Sequence, residues 1–347
     1  MPLTYIKFEN FTAFSFLELN LSPGINVFVG TNGTGKTHLI KAAYAACDIS
    51  KTKDNFADKL IRTFLPSGRM LRRLVKRQQG SSRASLELKR EEEQPGEPLR
   101  IRISFTNHTE NPKSAQTEGV QKWIEYPIEA VYIPVKEMLS AAPGFRSLYA
   151  QREIHFEEIY SDLLDRAYRP PLRGPIDRER KKLLEKLNTL IEGNVTIKDE
   201  EFFLRNKQGN LEFTLLAEGI RKLGLLWLLI QNGTLLRGSV LFWDEPETNL
   251  NPRLYGPLMD ILLELHRMGV QIFLTTHDYV ILKEIDLRRK KGDEILFHSL
   301  YREKETREIR CVSTAEFLEL HPNAIVETFA DLYDREIKRT LGEDTQE

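Results

Sequence analysis

In VLFWDEPETNLNP, residues 240–252, two adjacent carboxylates follow four large apolar residues. Val240 to Trp243 reads as a strand buried on both faces, which leaves Asp244 and Glu245 at its end. A buried carboxylate is costly unless something pairs with it, and a divalent cation reverses that cost. The stretch GTNGTGKT, Gly30 to Thr37, supplies a polyanion site for such a cation to bridge. It fits G-x-x-x-x-G-K-[ST], with the apolar run INVFVG before it and a helical pattern after it. In such a loop Gly30, Thr31, Asn32, Gly33, Thr34, Gly35 and, at the helix start, His38 surround phosphate oxygens with backbone N–H groups and partial positive charge. Lys36 then bridges the β- and γ-phosphates, while the Thr37 hydroxyl and Asp244 hold Mg²⁺. Glu245 is placed to polarise a water against the γ-phosphate.

The elements that position these groups follow from periodicity. TYIKFENF and FSFLELNL alternate as paired strands, and Lys36 to Ala46 reads as a helix. RMLRRLVKRQ reads as a second helix after the Pro66-Ser67-Gly68 break. ASLELKRE and LRIRISF form a predicted hairpin around Pro95 and Gly96, and IEAVYIP is a further strand. Lys136 to Gly193 is mostly helical, interrupted by RPPLRGP at 169–175. VTIKD, EFFLRN and LEFTLL are short strands, with a turn expected at Gly209-Asn210. A buried helix spans Glu218 to Gln231, followed by strand 240–244, helix 253–268, strand 270–275 and a helix from Tyr279. Strands apolar on both faces that alternate with helices predict a parallel sheet covered on both sides. From Asn323 onward, Ile325, Phe329, Leu332, Tyr333, Ile337 and Leu341 recur at helical spacing.

Composition is that of a soluble globular protein, with 41% hydrophobic and 29% charged residues. Cys47 and Cys311 form no CxxC pattern, which argues against a disulfide framework or a zinc site. MPLTYIKFENF lacks the charge and apolar pattern of a signal peptide, and the longest greasy run, Leu223 to Ile230, is too short to span a bilayer. A cytoplasmic protein with no membrane partner is expected. The net charge of −1 conceals a basic segment: residues 51–90 hold 12 Lys/Arg and 3 Asp/Glu. Within it Arg72, Arg73, Lys76 and Arg77 are candidates for contact with DNA, RNA or a partner protein; a solvated helix face, or a face that pairs with acidic neighbours, is the competing reading.

Taken in order, these motifs resemble those of the ABC-type ATPases, in particular the soluble heads of the SMC, RecF and OLD type. Glu directly follows Asp in VLFWDEP; the E-x-x-L-x-P segment Glu247 to Pro252 resembles a D-loop, with Asn249 inside it; and His277 in LTTHD stands where the switch histidine does. LLAEGIRK resembles the signature motif, so Ala217, Glu218, Gly219 and Arg221 would reach the γ-phosphate held by a second copy. The usual serine is replaced by Ala217, which leaves Arg221 or Lys222 to compensate. VYIPVKEMLS falls where the Q-loop would be and has no glutamine, leaving Lys136 and Glu137 as substitutes. Phe11, Phe14 and Phe16 are available for adenine stacking, although alternating Phe more often belongs to a core.

The resemblance implies an α/β P-loop NTPase of ABC-ATPase type: a mixed, mostly parallel sheet with an antiparallel β subdomain and a helical insertion. The expected organisation is a single head over 1–347. It has a basic helical insertion plus hairpin at 48–125, a helical lid or arm at 137–195, a lobe at 196–312 with the signature, Walker B and switch histidine, and a C-terminal helical segment at 313–347. The implied cofactors are ATP and Mg²⁺, with Glu245, His277 and Lys36 catalytic. The implied assembly is a nucleotide-sandwich homodimer or higher homo-oligomer. The stretch from Tyr132 to Arg169 also resembles small AAA-type ATPases of prokaryotic antiphage defence loci, relatives of the Septu ATPase and OLD nucleases. Such a protein would be a sensor or scaffold that works with a separate effector, a nuclease or toxin, since no second catalytic motif is found in the sequence. A RecF-like genome-maintenance ATPase acting directly on DNA is the alternative, and a transporter nucleotide-binding subunit a third.

Overall fold

A computed structural model describes residues 1–91, 98–151 and 154–341. Its central sheet has six strands in the order Ile309–Thr314, Ile295–Arg302, Ile25–Val29, Gln271–Thr275, Val240–Asp244, Ala130–Ile133. Adjacent strands are parallel except the Ile309–Thr314 edge, which returns antiparallel on Ile295–Arg302. Strands 25–29, 240–244 and 271–275 are buried at every position, as a sheet covered on both faces requires. One face carries helix Lys36–Thr52 with Phe28, Phe242 and Phe273. The other carries helices Glu218–Gln231 and Tyr255–Arg267 with Val27, Leu241 and Leu274.

A second, antiparallel sheet (order 14–20, 3–11, 83–90, 99–106, 116–118) packs against the first of these faces. The expected hairpin between 83–90 and 99–106 is present; its Pro95-Gly96 turn lies outside the described residues. A small three-stranded sheet spans Asn194–Lys198, Glu201–Asn206 and Gly209–Glu212. Its second turn falls at Lys207-Gln208, so Gly209 and Asn210 are paired strand residues rather than the turn expected of them. Helices Phe145–Ala150, Glu158–Ala167 and Arg178–Ile191 fill the stretch read as a lid. Among the described residues no helix is long and apolar enough to cross a membrane.

The basic segment departs from its predicted form. Helix 36–52 runs past Ala46, and Asn55 caps a short helix, Phe56–Phe64, by accepting from Ala57 N and Asp58 N. Residues 70–79 are not an α-helix: Leu71–Leu74 make one 3-10 turn, and the chain then extends. Gly68 and Arg69 take φ of 67° and 52°, which breaks any helix there. The segment then bonds to the antiparallel sheet through Thr12 N to Leu74 O at 2.7 Å and Lys76 N to Asn10 O at 2.7 Å. Leu71, Leu74 and Val75 are buried, so this piece is a clamp on the sheet rather than a solvated helix face.

Much of its charge is neutralised inside the fold. Lys59, 1% exposed, faces Asp48 at 2.6 Å, Asp162 at 2.7 Å and Glu158 at 3.0 Å. Arg166 adds a second cation to Asp48 and Glu129. These pairs tie the helix that leaves the phosphate loop to helices 56–64 and 158–167. Arg90 is fully buried over Trp123, donating to the Trp123 and Tyr126 carbonyls.

Candidate nucleotide site

The site forms at the carboxyl ends of strands 25–29, 240–244 and 271–275, where open α/β sheets bind ligands. Gly30, Gly33 and Gly35 hold φ of 146°, 79° and 89°. Gly35 is also fixed by packing: a Cβ there would lie 2.5 Å from Phe14 Cζ, whereas one on Gly33 would meet open space. Thr34 Oγ1 donates to Thr31 O at 2.8 Å, closing the loop on itself. Lys36 Nζ lies along the loop, donating to Gly30 O at 2.8 Å and Thr31 O at 3.3 Å. Burial pushes its ammonium down to about 8, against the opposing pull of Glu245, Asp244 and Glu247. Thr31, Asn32, Gly33 and His38 are exposed on the rim.

Asp244 is 3% exposed. Its Oδ1 accepts from Thr37 Oγ1 at 3.2 Å and from Thr275 Oγ1, and its Oδ2 accepts from Tyr132 OH at 3.0 Å. All three partners are neutral hydroxyls, so the carboxylate's charge is oriented but not cancelled. Burial first, and then Asp244 beside it, raise the Tyr132 phenol well above its ordinary value. Glu245 takes φ of 47°, with its N–H bonded to Thr275 O at 3.2 Å and Thr275 Oγ1 at 3.1 Å. Glu245 Oε1 stands 3.4 Å from His277 Nε2, and Thr248 Oγ1 donates to Oε2 at 3.3 Å. The His277 contact holds the Glu245 carboxyl below its usual range. Lys36, Thr37, Glu245 and His277 line one cavity of about 220 Å³ with Asn32 and His38. A larger cavity of about 560 Å³ adjoins it across Ala13 and His38, walled by Phe64, Arg73, Arg77 and Arg302.

The residues present fit Mg²⁺ and a triphosphate. A buried carboxylate beside a threonine hydroxyl, with no side-chain cation in ion-pair contact among the described residues, matches the donor set of a hard divalent ion. The glycine loop and Lys36 match phosphate oxygens.

The signature candidates lie apart from this cavity. Ala217 caps helix 218–231 without a side-chain bond. A Cβ on Gly219 would lie 2.9 Å from Leu250 Cδ1 and 3.0 Å from Asn249 O, so the helix start is seated on the D-loop candidate. Asn249, at φ 60°, donates from Nδ2 to Glu218 Oε2 at 2.9 Å. Arg221 pairs with Glu137 at 2.9 Å and donates to Phe213 O at 3.2 Å within its own chain. Lys222 is likewise buried on Thr248 O at 2.6 Å. Glu137 thus holds the signature helix, while Lys136 is exposed beside the Phe156 ring. Phe11 and Phe14 are core residues and Phe16 lies under Lys7, so the adjoining cavity, not these rings, offers room for a base.

Of the basic candidates, Lys76 pairs with Glu308 at 2.8 Å and Arg72 lies 3.9 Å from exposed Glu110. Arg73 and Arg77 have no carboxylate within ion-pair distance among the described residues, and they line the cavity beside the loop. Three site residues, Tyr132, Thr275 and Glu247, fall inside the segments VYIPVKEMLS, LTTHD and Glu247 to Pro252, but nothing in those motifs assigns them a role. Glu247 Oε1 accepts from Thr276 Oγ1 at 2.7 Å, behind the histidine.

A mostly parallel sheet whose strand ends carry a phosphate loop, an Asp-Glu pair and a histidine defines a P-loop ATPase of the ABC type, of the SMC and RecF kind. The chain belongs to the family described as "AAA domain, putative AbiEii toxin, Type IV TA system", which matches residues 25–283. It is 30% identical over 155 residues to the DNA replication and repair protein RecF of Listeria welshimeri, a match that covers 44% of this chain and 38% of that protein. RecF of Clostridium botulinum is 39% identical over 59 residues, 17% of this chain and 16% of that protein. The chain therefore spans well under half of the curated relatives it matches. In fold it is similar to an SMC head bound to the C-winged helix domain of ScpA: TM-score 0.58, 12% identity, 92% of this chain and all of that one. A Pyrococcus furiosus SMC head with an extended coiled coil gives TM-score 0.54 at 10% identity over 97% of this chain and all of that one.

Proposed function

We propose that this chain binds and slowly hydrolyses ATP, with two copies enclosing two nucleotides. The contact that carries this reading is Thr37 Oγ1 to Asp244 Oδ1 with Glu245 and His277 beside it, because it joins metal and water-activating groups at one cavity. The loop N–H groups and Lys36 bind and orient the β- and γ-phosphates. Thr37 and Asp244 would hold Mg²⁺, which supplies charge neutralisation on the phosphates. Glu245 accepts a proton from the attacking water, and His277, in contact with Glu245, is placed to sense the γ-phosphate. The helix start at Ala217–Gly219 is the surface offered to the other copy; with Arg221 held in cis, backbone N–H groups carry that contact.

The biological setting we favour is a cytoplasmic sensor or scaffold in a prokaryotic antiphage defence system, working with a separate nuclease or toxin. The description of the matched family as toxin–antitoxin associated supports it. A genome-maintenance ATPase acting on DNA is the second reading, favoured by the likeness to RecF. DNA or RNA would meet the chain through Arg73 and Arg77.

The test is solution mass and ATP turnover of the wild type and Glu245→Gln, each with and without Mg-ATP. Turnover should fall about 100- to 1,000-fold while ATP binding persists and mass doubles on ATP. Unchanged turnover would remove Glu245 from the reaction. A mass indifferent to ATP would remove the nucleotide sandwich.

A further inference from the structure

We infer that Tyr132 is a positioning residue for the metal-side carboxylate. Resting on the Mg-ATP reading above, this adds a group outside the phosphate loop and the Asp-Glu pair. Tyr132 lies on the edge strand Ala130–Ile133, which runs parallel to Val240–Asp244 with Tyr132 opposite Phe242 and Ile133 opposite Trp243. That register brings the phenol level with Asp244, where it donates to Oδ2 at 3.0 Å. The other oxygen, Oδ1, is the one shared with Thr37 and Thr275. The carboxylate is thus held from both sides, and Tyr132 fixes its rotation so that Oδ1 faces the phosphate-loop threonine.

The choice of a phenol matters. A lysine or arginine at 132 would cancel the charge that attracts a divalent ion, and an apolar residue would leave Oδ2 buried without a donor. Tyr132 is itself immobilised, 1% exposed, with its ring edge-on to Tyr44 at 5.6 Å. Tyr44 in turn donates to Asp162 at 2.6 Å, within the buried cluster around Lys59. Partners behind a metal ligand of this kind commonly set metal affinity by about 10- to 100-fold.

The experiment compares wild type, Tyr132→Phe and Tyr44→Phe. Each variant deletes one buried hydroxyl and keeps its ring, but only Tyr132 touches Asp244. The Mg²⁺ concentration that half-saturates binding of a fluorescent ATP analogue should rise about 10- to 100-fold in Tyr132→Phe. It should stay within about twofold of wild type in Tyr44→Phe, and analogue binding in EDTA should be equal in all three. Equal Mg²⁺ half-saturation for Tyr132→Phe and wild type overturns the inference while leaving the ATP reading standing. A wild type whose analogue binding ignores Mg²⁺ overturns the metal reading itself. A second measurement needs no variant. In tyrosine-labelled wild type, the solvent-shielded Tyr132 hydroxyl proton should shift on adding Mg²⁺ with nucleotide; a resonance that stays in place under saturating Mg²⁺ also overturns the inference.

Discussion

The backbone N–H of His277 donates to Glu247 Oε1 at 2.9 Å, so a carboxylate three residues beyond Asp244 holds the histidine that stands against Glu245. Burial raises the Glu247 carboxyl above its ordinary value, opposed by the donors at His277 N and Thr276, and its Oε2 has no hydrogen-bond partner among the described residues. A carboxyl raised on folding takes up a proton that the unfolded chain releases, so stability falls as pH rises from the unfolded value of 4.5 toward the folded one. Glu247→Gln keeps the acceptor and removes this dependence. The melting temperature of the variant relative to wild type should climb as pH rises above 4.5. A constant gap across that range would show that Glu247 is not perturbed.

Gly33 and Gly35 should respond differently to alanine although both take positive φ. Gly33→Ala meets no atom and bears only the left-handed strain of about 1–2 kcal/mol, so ATP binding weakens roughly tenfold. Gly35→Ala adds the collision with Phe14 and should lose measurable binding. Adding Phe14→Leu to Gly35→Ala should restore part of it. Titration with a fluorescent nucleotide analogue reads all three, and equal losses at the two glycines would contradict the packing argument.

Lys59 sits among three carboxylates with almost no exposure. Lys59→Met leaves those charges facing one another and should lower unfolding stability by about 3–5 kcal/mol in urea. A loss under about 1 kcal/mol would mean that the cluster is solvated in solution.

Arg73 and Arg77 carry the nucleic-acid prediction now that Lys76 is tied to Glu308. If duplex DNA is bound there, the double alanine variant should lower the slope of log affinity against log salt by roughly 2. Lys76→Ala should change thermal stability more than that slope. An unaltered slope in the double variant would separate this segment from nucleic acid.

Some of this was readable from residues alone. The phosphate loop, strand 240–244 and helix 218–231 came out of local pattern, because their glycines and apolar periodicity are dictated by their own backbone. Tyr132 and Thr275 were not readable, since in VYIP and IFLTT they look like ordinary strand residues. Their roles come from lateral register, which sets Thr275 opposite Asp244 and Tyr132 two residues short of it, and a lone strand carries no such information. The basic segment misled for a related reason. The partners of Lys59 come from 48, 158 and 162, so a run that is strongly cationic in sequence is partly neutralised in space. The Arg221 side chain has an intrachain partner that LLAEGIRK does not announce, because Glu137 comes from a distant segment.

That Arg221–Glu137 pair acts as a strut. Glu137 also accepts N–H bonds from Leu139 and Ser140, gripping the turn that follows the strand bearing Tyr132. The first turn of helix 218–231, the D-loop candidate seated beneath it and this turn are therefore braced into one mechanical piece. A load applied to any of the three is shared by the others, so a body pressing on the outer turn at 139–140 would gain leverage over the helix start without touching the phosphate loop.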